Sequence, residues 1–254
     1  MSPNLTWERP KNVPIPTTWS KYESNKPMAN GIKPKFIIQD FTEEWRDQVI
    51  QIVTDFFLRD EPLSKSINFK KNNNDVQAFL KYIHEYLNKK MVLIAIVENL
   101  NELGDGNLPL LAGCNITGVI TKGEKEGDDD DKNVSEQTRK IFKILEKIEE
   151  MNDPYKYYGV NEFLYALGLT VHPAFRGHNL GHEILKARFP LCKATGIKST
   201  VTVFTAIASQ IAATKAGFEL LAEIVYDDYK DENGEVVFKI ESTKTVKLMG
   251  KRIE

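Results

Sequence analysis

Leu167-Gly168-Leu169-Thr170-Val171-His172-Pro173-Ala174-Phe175-Arg176-Gly177-His178-Asn179-Leu180-Gly181-His182 reads as the end of a strand, a turn and the start of a helix. The run up to Val171 is apolar and β-branched, and His172-Pro173 breaks it. From Gly181 to Ala194 the pattern is helical, with Gly196 as C-cap. Pro190 falls inside that helix and is expected to kink it. A helix start carries unpaired backbone N–H groups and the positive end of the dipole, and small residues let a ligand approach the backbone closely. Together these make a cradle for a pyrophosphate, to which Arg176 can add charge-assisted bonds. Glycine-bearing turns between strand and helix are also ordinary connections. The order strand, turn, helix is what favours the phosphate reading.

Upstream, Glu162–Val171 reads as a strand and Glu136–Met151 as a helix with Ile141, Ile144, Leu145 and Ile148 inward. Asp128 to Asp131 are consecutive aspartates in a solvated loop. Met91–Val97 and Leu110–Thr121 read as an antiparallel pair of strands, and Asp75–Leu87 as an amphipathic helix. Glu43–Phe57 has Trp45, Val49, Ile52, Val53 and Phe56 on one helical face. Thr42 is its candidate N-cap, and Pro62 puts Glu61 just past its end. Lys35–Gln39 is a candidate first strand. Residues 1–34, with Pro10, Pro14, Pro16, Pro27 and Pro34, form an extension whose Trp7 and Trp19 are expected to dock on the body. Downstream come a strand at Ser199–Phe204, a short helix at Ser209–Ala216 and two closing strands, Phe218–Tyr226 and Val236–Leu248. Asn233-Gly234 is a hairpin signal within them. The pattern is α/β (α+β): one domain over 35–254, with a mixed sheet of six to seven strands flanked by helices.

Composition narrows the classes. A net charge of −2 over 254 residues offers no basic footprint for nucleic acid. No apolar run reaches the length of about 20 residues that spans a membrane. The first twenty residues lack the apolar core of a secretory signal. Cys114 and Cys192 are a lone pair without a disulfide framework, which suits reduced thiols in the cytoplasm. A monomer is expected. His172, His178 and His182 lack an acidic or cysteine partner at ligand spacing, so no metal is expected.

The segment around Arg176 resembles the acyl-CoA-binding motif of the GNAT acyltransferases. Arg176 and Gly181 match its outer positions, Gly177 keeps its Arg-Gly pair, and Asn179 stands where the middle glycine falls. Asn is the residue besides glycine that best tolerates left-handed geometry. A second stretch, Phe56-Phe57-Leu58-Arg59-Asp60-Glu61-Pro62-Leu63, resembles the aromatic helix end and Asp-Glu-Pro-Leu signature of insect arylalkylamine N-acetyltransferases. Ala216-Gly217-Phe218-Glu219 and the segment from Asn233 to Phe238 resemble that family's C-terminal region.

The resemblance implies the GNAT fold, acetyl-CoA as cosubstrate and a primary amine such as dopamine, serotonin, tryptamine or octopamine as acceptor. It implies that Leu169, Thr170, Val171, Arg176, Gly177, His178, Asn179, Leu180, Gly181 and His182 hold the donor. It implies Glu61 as general base. An amine arrives protonated and must lose that proton before it attacks a thioester. Where the family carries a Ser-Ser-His-Tyr-Ser-like stretch, this chain has Thr205-Ala206-Ile207-Ala208-Ser209. Thr205 and Ser209 supply hydroxyls that can polarise the thioester or orient water. Ala208 replaces the tyrosine, and a thiolate with a pKa of about 8.5 can leave without a dedicated acid. The apolar Ala206 and Ala208 leave room for agmatine, polyamines or longer acyl donors. Asn179 and Ala208 also admit an acyl-CoA-binding module without turnover.

Overall fold

One mixed sheet organises the chain, with its strands in the order β1-β2-β3-β4-β5-β6-β8-β7. They are Thr18–Glu23 (β1), Lys35–Asp40 (β2), Leu93–Val97 (β3), Leu111–Thr121 (β4), Glu162–Val171 (β5), Ser199–Phe204 (β6), Glu219–Val225 (β7) and Thr245–Arg252 (β8). This is a computed structural model, and it describes residues 7–104, 106, 108–123 and 134–254. The aspartate run at 128–131 lies outside the described residues.

The sheet has eight strands rather than six to seven. The added one is β1, which pairs antiparallel with β2 through Ser20↔Ile38 and Tyr22↔Phe36. Pro14, Pro16 and Pro27 flank this strand instead of interrupting it, so none removes a ladder donor. The segment is also fastened by charge. Arg9 donates from Nη1 to Asp40 Oδ1 at 2.9 Å and from Nη2 to Oδ2 at 2.8 Å. Trp19 Nε1 and the Thr17 amide donate to the same carboxylate at 2.8 and 2.9 Å. Every lone-pair direction of a nearly buried carboxylate is thereby engaged.

Helices are Arg46–Ile52 (α1), Leu58–Asp60 (α2), Pro62–Ser66 (α3), Asn73–Asn88 (α4), Glu136–Met151 (α5), Pro154–Tyr158 (α6), Leu180–Thr195 (α7) and Ile207–Lys215 (α8). Alternation along the strands sorts the core into two layers. In β3, Leu93, Ala95 and Val97 face Ile184, Leu191 and Cys192 of α7. Ile94 faces Val49 and Ile52 of α1 and Ile83 and Leu87 of α4. Farther along the sheet α5 packs Ile144 and Ile148 against Phe163, Val201 and Leu248. Cys114 and Cys192 belong to opposite layers, are both free, and have their thiols pushed up to about 12 by burial.

Three local expectations are revised. The helix expected over Glu43–Phe57 is broken into a 3-10 turn at Glu43–Trp45, α1, and a π-helical turn at Val53–Phe57. The wider turn lets both Phe56 and Phe57 face a cleft while Val49, Ile52 and Val53 stay in the core. The closing strand expected over Val236–Leu248 runs instead over Thr245–Arg252. The turn at Asn233-Gly234 closes only a single bridge, Lys230↔Val236, while β7 and β8 pair antiparallel outside it. There Asp231 Oδ1 accepts from the Asn233 and Glu235 amides at 2.9 and 3.0 Å, a local turn that competes with the ladder. Burial of Phe238, stacked on Tyr229 with centroids 6.0 Å apart, anchors this excursion between β7 and β8.

The ladder is irregular on both sides of β5. Ile116 pairs with Gly168 while Thr117 pairs with Ala166, so Leu167 is an extra residue in β5. Strands β5 and β6, the parallel neighbours joined through α7, share only the pair Leu164↔Thr200.

Candidate active site

Beyond Leu164↔Thr200 the two parallel strands part, and the gap between them opens into a cleft of about 1490 Å³. One wall is the far half of β5, Gly168 to Val171. The other is Thr202 to Phe204 of β6, with Thr205 and Ser209 beyond it. Strand ends that part in this way leave backbone donors and acceptors without ladder partners, ready for an extended ligand that carries amides.

At the β5 end the chain turns through His172 into the loop that begins α7. Gly177 has φ +81° and Asn179 has φ +60°. Both are left-handed, which glycine adopts freely and Asn tolerates. Asn179 is the N-cap of α7, and the backbone around it and Gly181 borders the cleft. A Cβ at Gly181 would meet Leu169 and Val171 at 3.8 Å, an ordinary contact, so neighbouring side chains do not require a glycine there. The sequence-derived residues Leu169, Thr170, Val171, Arg176, Gly177, Asn179, Leu180, Gly181 and His182 all line this cleft.

His178 is placed elsewhere. Its ring is buried, with Nδ1 2.9 Å from Ser24 Oγ and 3.1 Å from the Lys26 carbonyl oxygen. It ties the loop to the N-terminal segment, and burial lowers its pKa. His182 Nδ1 lies 2.9 Å from Glu183 Oε1 and 3.1 Å from Asn179 Nδ2. His172 accepts from the Ala174 amide at 3.2 Å and packs edge-on against Phe56, and burial lowers its pKa. Among the described residues no group of three His, Cys, Asp or Glu side chains is arranged to hold a metal.

Across the cleft stands the turn between α2 and α3. Glu61 has extended backbone, φ −66° and ψ 126°, and is followed by Pro62 at the first position of α3. Its carboxylate accepts from the Leu63 amide at 2.9 Å and the Ser64 amide at 2.6 Å. This N-cap fixes the rotamer and sets the carboxylate at the positive end of the helix. Two of its roughly four lone-pair directions remain for a water or an amine. Phe57 beside it packs against Gly168, where a Cβ would come within 2.8 Å of the ring. Asp60 is drawn to the opposite loop, its Oδ2 2.7 Å from Arg176 Nη2. Arg59, and then Arg176, hold the Asp60 carboxyl at about 2. Arg176 Nε also donates to the Val171 carbonyl at 3.1 Å.

Thr205 and Ser209 lie on the cleft wall at the start of α8. The Ser209 hydroxyl donates to the Ala206 carbonyl at 2.8 Å, and the Thr205 carbonyl accepts from Tyr226 Oη at 3.1 Å. Tyr226 is buried and close enough for the Glu61 charge to help raise its pKa, after burial itself. On the side opposite the α7 loop, α5 lines the cleft with Glu146, Glu149 and Glu150, and Tyr165 Oη donates to Glu149 at 2.9 Å.

Arg188 matches no motif in the sequence, yet it sits directly behind the gap and is fully buried. It falls on the apolar stripe Ile184, Leu185, Leu191 and Cys192 of α7. A lone arginine on such a stripe is the signal that could have marked it.

Comparison with known proteins agrees with this geometry. No family model matches the chain, and no curated protein sequence matches it. Among solved structures, one of a yellow fever mosquito (Aedes aegypti) protein designated arylalkylamine N-acetyltransferase 7 superposes with a TM-score of 0.85 at 27% identity, over 98% of this chain and 100% of that one. Arylalkylamine N-acetyltransferase 2 of the same mosquito gives 0.75 at 25% identity, over 86% and 99%. The polyamine N-acetyltransferase of Drosophila melanogaster gives 0.71 at 16% identity, over 86% and 100%, a likeness of fold alone. The chain has the GNAT fold and is similar to insect arylalkylamine N-acetyltransferases.

Proposed function

From this likeness we propose that the chain moves an acetyl group from acetyl-CoA to a primary amine of the arylalkylamine class by direct attack. The observation that carries the reading is the meeting of two features across one cleft. The parted strands β5 and β6 lead to the α7 loop on one side, and the capped Glu61 carboxylate stands on the other.

The fit to the donor rests on backbone. Amides and carbonyls of Gly168 to Val171 suit the amides of a pantetheine arm. The N–H groups from Asn179 to Gly181, at the positive end of α7, suit a pyrophosphate. Arg176, Gly177, Leu180 and His182 complete that wall. The thioester supplies the activated acyl group. Glu61 takes the ammonium proton through water, which frees the amine lone pair to form the new C–N bond as the C–S bond breaks. Thr205 and Ser209 border the same space and can orient that water. The nitrogen sheds its second proton to solvent as the amide forms, and the sulfur leaves as thiolate and is protonated from solvent. Phe56 and Phe57 give an aryl group an apolar wall.

A second acceptor class has a specific observation in its favour. Glu146, Glu149 and Glu150 line the cleft opposite the α7 loop, where a second cationic group of agmatine or a polyamine would be drawn. One assay separates the readings: CoA release by the purified chain with acetyl-CoA and a panel of aryl, diamine and guanidino amines. Turnover led by tryptamine or dopamine supports the arylalkylamine reading. Turnover led by agmatine or a polyamine replaces it with the second. Acetyl-CoA binding without turnover of any amine leaves a binding module and overturns both.

A further inference from the structure

Arg188, at the middle of α7, is fully buried, and among the described residues no carboxylate pairs with it. Its guanidinium is shared between two strands, β4 and β6. Nε donates to Asn115 Oδ1 of β4 at 2.7 Å. Nη1 donates to Thr202 Oγ1 of β6 at 2.7 Å and approaches Thr200 Oγ1 at 3.3 Å. Strand β5 is held at second hand on both sides of the bulge at Leu167. Asn115 Nδ2 donates to the Gly168 carbonyl at 2.7 Å, and Thr200 Oγ1 donates to the Leu164 carbonyl at 2.9 Å. Nη2 is buried with no hydrogen-bond partner.

These contacts sit where the parallel pair separates. Thr200 and Leu164 form the last registered pair, and Gly168 and Thr202 are on the two walls that diverge from it. Because Arg188 takes the Asn115 oxygen, the Asn115 amide nitrogen is turned to Gly168, so the carbonyl next to the bulge is set by the arginine. A buried cation without an anion carries a desolvation cost that an apolar side chain of similar size avoids. Burial accordingly pushes the Arg188 pKa down to about 9. Stability therefore gives little reason for a cation at this position, whereas the spacing of the strands gives one.

We infer that Arg188 is a positioning residue for acyl transfer, one that fixes the separation of β5 and β6 where the acyl group must lie. The inference rests on the proposed acyl-CoA chemistry. Its planar fork sets two directions at once, toward Asn115 and toward Thr202, which a point charge or an apolar chain cannot do. Misplacement of a reacting group by about 1 Å costs on the order of 100-fold in rate.

The test compares the full chain with R188M and R188K by thermal melting, acetyl-CoA calorimetry and kcat for an amine that the wild type acetylates. R188M relieves the buried charge but leaves the buried Asn115 oxygen without its donor, so it is expected to fold and to melt somewhat below wild type. It should bind acetyl-CoA within about threefold of wild type, because the α7 loop is untouched, and lose about 10- to 100-fold in kcat. R188K, which keeps the charge without the fork, is expected to recover that loss in part at most. Wild-type kcat in R188M overturns the inference, as does a proportional loss of acetyl-CoA affinity and rate. If R188M fails to fold, R188K decides: reduced kcat at unchanged affinity supports the inference, and wild-type kcat overturns it. If neither folds, Arg188 is a determinant of the fold and the inference falls. A wild type without turnover overturns instead the reading beneath it.

Discussion

Arg176 Nη2 donates to Asp60 Oδ2 at 2.7 Å, joining the loop before α7 to the turn that carries Glu61. Both side chains are more than a third exposed, 44% and 34%, so solvent screens the pair. A double-mutant cycle of Asp60→Asn and Arg176→Gln should give a coupling of at most about 1 kcal/mol, shrinking as salt is added. The carboxyl is held at about 2 against an ordinary 3.8, so the folded state has the depressed value. Its contribution is then present above about pH 4 and is lost as pH falls toward 2. Acid titration of wild type beside Asp60→Asn checks this: the difference in stability should vanish over that window.

Glu61 has two duties that separate by substitution. Glu61→Ala removes both the cap on α3 and the carboxylate, and should cost about 0.5–2 kcal/mol of stability. Glu61→Gln keeps an amide oxygen to accept from Leu63 or Ser64 and should melt close to wild type. Both should lose about 100- to 10,000-fold in kcat for amine acetylation if the carboxylate takes the proton. Melting curves and rates on the same preparations measure the two effects separately. Full activity of Glu61→Gln would remove the general-base role and leave the cap.

Gly168 is required by its neighbour as well as by the cleft. A Cβ there would sit 2.8 Å from Phe57 Cε2, and Phe57 is itself stacked on Phe79 with centroids 6.0 Å apart. Gly168→Ala should destabilise by about 1–3 kcal/mol through overpacking. Adding Phe57→Leu should return part of that loss, because the contact belongs to the ring. Chemical denaturation of the two single variants and the double variant checks the coupling.

Asp40 holds the N-terminal segment. Its replacement by alanine leaves a nearly buried Arg9 without its anion, and takes the acceptor from Trp19 Nε1 and the Thr17 amide. Asp40→Ala should lose about 3–5 kcal/mol, more than any surface charge variant. Urea unfolding gives the magnitude. Limited proteolysis ahead of β1 should accelerate in the variant and stay slow in wild type.

Much of this architecture is written locally. The bounds of α5, β5 and β6 coincide with their hydrophobic periodicity, Gly196 ends α7 in left-handed geometry, and Asn179 takes the left-handed turn expected of it. These are decisions of a single segment, and backbone sterics or side-chain periodicity settles them. The π-helical turn at Val53–Phe57, the strand β1 and the excursion between β7 and β8 are not legible in this way. Each depends on a partner distant in sequence: the cleft and core that divide the aromatic residues, the β2 edge that accepts a strand, and the site that buries Phe238.

Read from residues alone, the chain shows the GNAT likeness, the loop before α7 and the two segments, at Glu61 and at Arg176, on which a donor and an acceptor site would be built. Folding settles which of those side chains share a space. It turned His178 onto Ser24 and Lys26, bonded Arg176 to Asp60, and set the Glu61 carboxylate on the amides of α3. It also placed Arg188 behind the gap between β5 and β6, where one guanidinium reaches side chains on β4 and β6 and, through them, the backbone of β5. The physical reason is the same throughout. Periodicity and turn chemistry act over a few residues, whereas a hydrogen bond or an ion pair between distant segments exists only once the sheet has brought them within about 3 Å.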